Sequence, residues 1–207
     1  MITDTVHYVA IAWTRPVNWA GFSTLPADID AAATKSRTIR YQRDLIRLWV
    51  KQHGGVLVHE EAVMELSPDR ATPQAAMVIA TLRKTYPAAI FIAVDFPKAD
   101  GWRPHVHLQD LLDQGPSTLI DPDPYYAADF SFDPTQHFSA WEKHHDAHRQ
   151  AKPAHRAKVL AALAEDAGHS LAQKAEILNA RGLTTHTGKA WTKDNLAKFL
   201  NTGPKDA

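Results

Sequence analysis

The residues with the clearest chemical purpose lie in the C-terminal quarter of the chain. Lys174, Arg181, Lys189, Lys193 and Lys198 supply cations, and His186, Thr187, Thr192 and Asn195 supply hydrogen-bonding groups, all spaced along two short amphipathic segments and the turn between them. Cations and hydroxyls of this kind anchor phosphates, and amides read base edges in a major groove. A second concentration runs from Gln136 to His155, where His137, His144, His145, His148 and His155 surround Trp141. On a helix His144 and His148 lie one turn apart on one face, an arrangement that can hold a divalent metal with an oxygen from Asp146 or Glu142. A solvated face carrying histidine in place of lysine explains the same spacing, and no metal or other cofactor is expected.

Two helices must position the C-terminal set. Ser170 stands where an N-cap is needed, and Leu171, Ala175 and Leu178 follow at helical spacing. Gly182 sits where a left-handed residue ends that helix. Thr192 caps a second helix, whose Leu196, Phe199 and Leu200 turn inward with Trp191 and leave Lys193, Asn195 and Lys198 outward. Upstream, Pro153 separates the histidine-rich segment from a helix over 154–167, in which Val159, Leu160, Leu163 and Ala164 form the packing face.

The pattern Ser170, Ala175, Leu178-Asn179, Gly182, Thr185, Gly188, Trp191-Thr192, Leu196 and Leu200 resembles the DNA-binding region of the serine recombinases, the resolvases, invertases and large phage integrases. The resemblance implies a helix-turn-helix that docks on double-stranded DNA, and a chain that works as a homodimer.

The first two thirds alternate strand and helix. The apolar runs Val6–Trp13, Gly55–Glu60, Ala89–Asp95 and Ser117–Ile120 read as strands. Between them lie a long loop over 17–34, a helix Arg37–His53 capped by Ser36, a loop over 67–73, a helix Gln74–Tyr86 and a short helix Pro104–Gln114. That order implies a parallel sheet covered on both faces.

It also resembles the serine recombinase catalytic domain, with Trp13-Thr14-Arg15 at its first arginine, Gln42 in the following helix, His53-Gly54-Gly55 before strand two, and Ser67-Pro68-Asp69-Arg70 near its arginine loop. The resemblance requires a serine two residues after Arg15, where this chain has Val17, and paired arginines after the third strand, where it has only Lys98 and Arg103. Valine cannot form the covalent phosphoester, and the cations that neutralise the transition state are depleted. Ser23 and Ser36 are the remaining hydroxyls that a relocated nucleophile would use.

Composition fits this division. The 207 residues are 44% hydrophobic and 22% charged, contain no cysteine, and therefore admit neither disulfides nor thiolate metal sites. The net charge of zero hides an asymmetry: residues 1–151 hold 14 basic and 18 acidic side chains, residues 152–202 hold 8 and 4. The basic excess accompanies the expected DNA-reading helices. No leader and no apolar run of the roughly 20 residues that span a bilayer is present, so a cytoplasmic, nucleoid-associated protein without a membrane partner is expected.

The sequence thus predicts an α/β fold, a resolvase-like parallel sheet flanked by helices over 1–134, then a helical linker over 135–153 and a small all-α helix-turn-helix domain over 154–207. The function expected is sequence-specific DNA binding, as a transcription regulator or recombination accessory factor with an inactive recombinase-like domain. Alternatives are an active recombinase with a displaced nucleophile and a protein-interaction adaptor, the aromatic and acidic loop Asp121–Asp133 offering a partner surface in the N-terminal domain.

Overall fold

The computed structural model describes residues 5–65, 73–96, 105, 107–165 and 168–202. The chain divides into two compact units, Met1–Pro16 with Thr24–Glu142 and Val17–Ser23 with Lys143–Ala207. The division therefore falls inside one helix, and a short segment following the first strand joins the C-terminal unit.

The first unit is built on four parallel strands, β1 (His7–Thr14), β2 (Val56–Met64), β3 (Ile90–Val94) and β4 (Ser117–Ile120), in the order β2-β1-β3-β4. Strand β1 sits between β2 and β3 and is buried from Tyr8 to Thr14, which explains its unbroken apolar run. Helices α1 (Ile29–Lys35) and α2 (Arg37–Gln52) connect β1 to β2, α3 (Pro73–Thr85) connects β2 to β3, and α4 (Leu108–Leu112) precedes β4. Because β1 crosses to one side and the later strands are added on the other, right-handed crossovers put α1 and α2 on one face and α3 and α4 on the opposite one. The α/β class with a helix-flanked parallel sheet is as the alternation implies.

Several boundaries differ from those read in the sequence. The stretch 17–34 is not a continuous loop: Asn18–Ala20 forms a 3-10 turn, and α1 is capped by the Asp28 carboxylate, which accepts from the Ala31 amide at 2.8 Å. Its buried Ala32 and Ala33 pack with Ala12 and Ile39, so tertiary contact stabilises a seven-residue helix too short and too uniform to show a period. Strand β2 runs on through Glu60 and Glu61 to Met64. Pairing with β1 carries it past the charged pair, while Arg47 holds Glu60 at 2.7 Å and His59 meets Glu61 at 3.0 Å.

The acidic stretch 121–133 is also structured. It contains the antiparallel pair β5 (Tyr125–Tyr126) and β6 (Ser131–Phe132), and it buries Phe130 and Phe132. Phe132 stacks on Tyr41 at 4.4 Å, and the Arg40 guanidinium lies 4.3 Å above Phe130. Of the aromatic residues expected to meet a partner, Phe130 and Phe132 are therefore core, Tyr125 is half-buried against it, and Tyr126 is 72% exposed. Apolar rings cost free energy in water, and α2 offers them a face. The expected loop over 67–73, except Pro73 in α3, together with Lys98 and Arg103, lies outside the described residues.

The arginines of α2 turn out to be internal partners. Arg40 pairs with Asp44 and Asp129, Arg43 with Asp30 at 2.7 Å, and Arg47 with Glu60 through two nitrogens.

The end of β1 is fastened by one fully buried side chain. Gln42 accepts from the Trp13 amide at 3.1 Å and donates to the Trp13 carbonyl at 2.7 Å and to the Thr38 carbonyl at 3.1 Å. Replacing Gln42 with Leu leaves the Trp13 groups without this partner, at a cost of about 1–3 kcal/mol. We expect urea unfolding of the variant to show that loss as a lowered midpoint with unchanged slope.

Candidate nucleic-acid interface

The second unit contains the end of α5 (Pro134–Gln150), then α6 (Lys152–Ala164), α7 (Leu171–Ala180) and α8 (Lys193–Asn201). Pro153 lies in the first turn of α6, where its missing N–H costs nothing. Helix α6 starts two residues earlier than the sequence suggests and ends at Ala164, three residues earlier. Val159, Leu163, Ala175, Leu178, Trp191 and Leu196 form the core of the unit, with Leu171, Leu183, Phe199 and Leu200 packed around it. Trp191 meets Phe199 edge-on at 5.1 Å. Arg156 covers the Phe199 ring at 4.5 Å and donates to its carbonyl at 2.8 Å.

The starts of α7 and α8 are each fixed by a reciprocal cap. Ser170 and Gln173 form a capping box at α7, and Thr192 and Asn195 form one at α8. Helix α7 closes at Arg181 and Gly182, the latter at φ 68°, a left-handed conformation that glycine adopts without strain. The connection then folds on itself: the Thr185 amide donates to the Lys189 carbonyl at 2.8 Å, and Thr185 Oγ1 accepts from the Lys189 amide at 2.9 Å. Gly188, at φ 77°, completes this turn.

Asn179 ties the connection to α7. Its Nδ2 donates to the Trp191 carbonyl at 2.9 Å, and its Oδ1 accepts from the Trp191 amide at 2.8 Å. This orients Trp191 toward the core and sets where α8 begins.

The side chains read from the sequence as DNA contacts separate into two groups. Thr187, Lys189, Lys193 and Lys198 are exposed. The others are engaged within the unit. The Thr192 hydroxyl caps α8, and the Asn195 amide accepts from Thr192 at 2.8 Å and donates to the Ala190 carbonyl at 3.0 Å. Arg181 holds Glu165 and the Ala162 carbonyl, each at 3.1 Å, and Lys174 is half-buried. Asp194 occupies the first turn of α8, where the helix dipole favours a negative charge.

His186 belongs to an aromatic column. Trp19 stacks on His148 at 4.7 Å and 14°, His148 stacks on His186 at 3.9 Å and 13°, and His155 leans against His186 at 5.4 Å. With aromatic rings on both faces, His148 is taken up in packing rather than in a metal-holding pair with His144. Two near-parallel imidazoles also aim their lone pairs side by side rather than at one point, as metal coordination would need. Among the described residues no group of three or more His, Cys, Asp or Glu side chains is arranged to hold a metal ion.

In the first unit, Arg15 follows β1 directly and is half-buried. Ser36 is buried and its hydroxyl accepts from the Ile39 amide at 3.3 Å, so it serves as the cap of α2. Ser23 is exposed and belongs to the second unit. The residue two positions after Arg15, Val17, pairs as an isolated bridge with Phe22.

One pair escaped the sequence reading. At the carboxyl end of the sheet, His105 and Glu65 lie 3.1 Å apart through Nε2 and Oε2, both buried, with Trp13 edge-on to the imidazole at 5.3 Å. Burial holds His105 below its ordinary pKa of 6.5, and the Glu65 carboxylate only partly offsets this. The side chains are 2% and 1% exposed, so the pair ties the end of β2 to the chain ahead of α4 and is closed to solvent. Forty residues separate them, and no local pattern marks them as partners.

No protein family, curated protein or solved structure matches this chain.

Asn179→Ala removes both bonds to Trp191 and should destabilise the second unit by roughly 1–3 kcal/mol. Amide exchange across Lys193–Asn201 should accelerate while that of β1 and β3 is unchanged. Equal acceleration in both units, or none in α8, would show that Asn179 does not set the position of this helix.

Proposed function

We propose that the protein is a sequence-specific DNA-binding protein, a transcription regulator or recombination accessory factor, whose α7 and α8 act as a helix-turn-helix pair. The observation that carries this reading is the cationic surface of the second unit. Lys189, Lys193 and Lys198 are exposed along one capped helix and the turn before it, while the apolar side of that helix is spent on Trp191, Leu178 and Val159. Exposed lysines along a helix and the turn before it are suited to phosphate contacts, and α8 is narrow enough for a major groove.

The resemblance of Leu178-Asn179, Gly182, Thr185, Gly188 and Trp191-Thr192 to the serine recombinase DNA-binding region supports the same reading, as does the basic excess of residues 152–202. In this reading Lys189, Lys193, Lys198 and Thr187 anchor phosphates. Thr192 and Asn195 shape the helix start, and base reading falls to other groups on α8. The first unit is a resolvase-like platform without the hydroxyl at position 17, and homodimers pair two reading heads, since one small module has limited affinity. The acidic surplus of residues 1–151 makes that unit a poor DNA ligand.

Duplexes selected from a genomic library should be retained in gel shifts at about 50 mM salt, where phosphate contacts are strongest. Lys189→Ala, Lys193→Ala and Lys198→Ala together should flatten the plot of log affinity against log salt by roughly three units, about 0.9 for each phosphate that is no longer neutralised. Asp194→Asn should tighten binding modestly by removing a like charge to the backbone. If no duplex is retained at low salt, or the triple variant binds as the native chain does, the DNA-binding reading is wrong. A covalent protein–DNA adduct abolished by changing Ser23 to Ala would instead point to an active recombinase.

A further inference from the structure

The second unit holds a column of rings that the DNA-binding reading does not use. Trp19, His148 and His186 stack nearly parallel, at 4.7 Å and 3.9 Å, and His155 closes the end at 5.4 Å. Three pieces of chain meet there: Val17–Ser23, the α5–α6 junction that carries His148 and His155, and the Thr185–Lys189 turn that carries His186. Gly188 lies on the backbone of Asn18 and Trp19, where an added Cβ would sit 3.6 Å from the Trp19 carbonyl oxygen. The column is therefore what two of these segments share with the helices.

His155 and His186 are packed as neutral rings. Nε2 of His155 and Nε2 of His186 are both buried without a hydrogen-bond partner. A proton placed on either nitrogen becomes a buried N–H with no acceptor, on a ring stacked against other imidazoles. Charged neighbours do not compensate. The titratable groups acting on His155 are Lys158 and His148, and those acting on His186 are His148, His155 and Lys152; backbone hydrogen bonds of His155 at Thr184 and of His186 at His148 favour the charged form but do not offset burial. From Val17–Ser23 comes no titratable side chain at all. On α5, Asp146 is held by Arg149 at 3.0 Å.

We infer that this histidine column is an acid-released latch, which holds Val17–Ser23 and the Thr185–Lys189 turn in place while His155 and His186 are neutral and lets both go when these two are protonated. Burial is the main cause that lowers the affinity of both His155 and His186 for protons, with cationic neighbours adding to it, below the ordinary histidine value of 6.5. The opened state recovers that ordinary value and binds more protons. Its share must therefore grow as pH falls through about 6.5, by up to about tenfold per histidine for each further pH unit, until the folded values are reached. Above about pH 7 neither state is protonated and the latch is shut.

The latch rests on the stacked rings and on the buried, unpartnered nitrogens of His155 and His186; only its consequence rests on the DNA-binding reading, because the freed turn carries Thr187 and Lys189. Acid would then loosen the part of the interface that the closed column orients.

The test needs no DNA. Histidine ring signals and backbone amide exchange of the full chain are recorded by nuclear magnetic resonance between about pH 7.5 and about pH 5.5. His155 and His186 should titrate below the ordinary value. After division by the intrinsic exchange rate, opening of residues 17–23 and 185–189 should rise across this range, by up to about tenfold per histidine, with β1 and β3 unmoved. His186→Phe keeps a stacking ring without a titratable nitrogen and should remove most of that rise, and His155→Phe should reduce it. Should His186→Phe not fold, His186→Gln serves as the neutral control. Exchange that is flat with pH in the native chain, or an equal rise in the Phe or Gln variant, would overturn the latch. A chain with a working latch that fails to bind duplex at about pH 7.5 would instead overturn only the DNA-binding reading.

Discussion

Both units depend on the same bond arrangement, a carboxamide that closes on the amide and carbonyl of one tryptophan. Gln42 does this for Trp13 and Asn179 for Trp191. In each case an aromatic residue turns into a core at the point where regular backbone pairing stops. The backbone groups left at that point need partners, and a carboxamide offers a donor and an acceptor at the spacing of a neighbouring strand. Trp13 marks the end of β1, where the chain leaves the sheet. Trp191 marks the start of α8, and through it the placement of Lys193 and Lys198. The two devices have different settings: one is wholly buried between helix and sheet, the other sits on a small helical unit with an exposed flank.

Charge is handled differently in the two units. In the first unit Arg40, Arg43 and Arg47 of α2 are consumed internally, by Asp30, Asp44, Glu60 and Asp129 and by the Phe130 ring. Exposed ion pairs of this kind contribute little each, but they leave α2 with little cationic surface to offer a polyanion. In the second unit the cations are mainly lysines on long solvated stems, while Arg156 and Arg181 point inward to a carbonyl or to Glu165. Planar guanidinium suits fixed multi-bond contacts, and ammonium suits mobile phosphate contacts. The distribution of arginine and lysine thus follows their chemistry.

Histidines are spread over both units, and those with shifted values share one tendency. His105 and His137 in the first unit, and His155 and His186 in the second, are all pushed toward the neutral form, chiefly by burial, with His137 reaching about 4. A neutral imidazole is a flat, weakly polar ring that can pack on Trp, Phe or another imidazole. The histidine-rich stretch that reads as a solvated or metal-binding face is in large part packing material. His137 lies against Phe132 and Phe138, and His148 lies between Trp19 and His186.

Local signals in the sequence determined the strand and helix order, the parallel α/β class, the caps at Ser36, Ser170 and Thr192, and the left-handed residue at Gly182, because each follows from residue types a few positions apart. The exposed cations Lys189, Lys193 and Lys198 were legible for the same reason. Other features depended on residues that meet only in three dimensions. These include the burial of Phe130 and Phe132, the helix α1 held by two alanines, the Glu65–His105 pair, the capping use of Asn195, and the transfer of Val17–Ser23 to the C-terminal unit. Periodicity reports which face of an element is apolar, but not which distant group will satisfy a backbone amide or cover a ring. That choice is made when the elements pack, and so only the tertiary structure decided it.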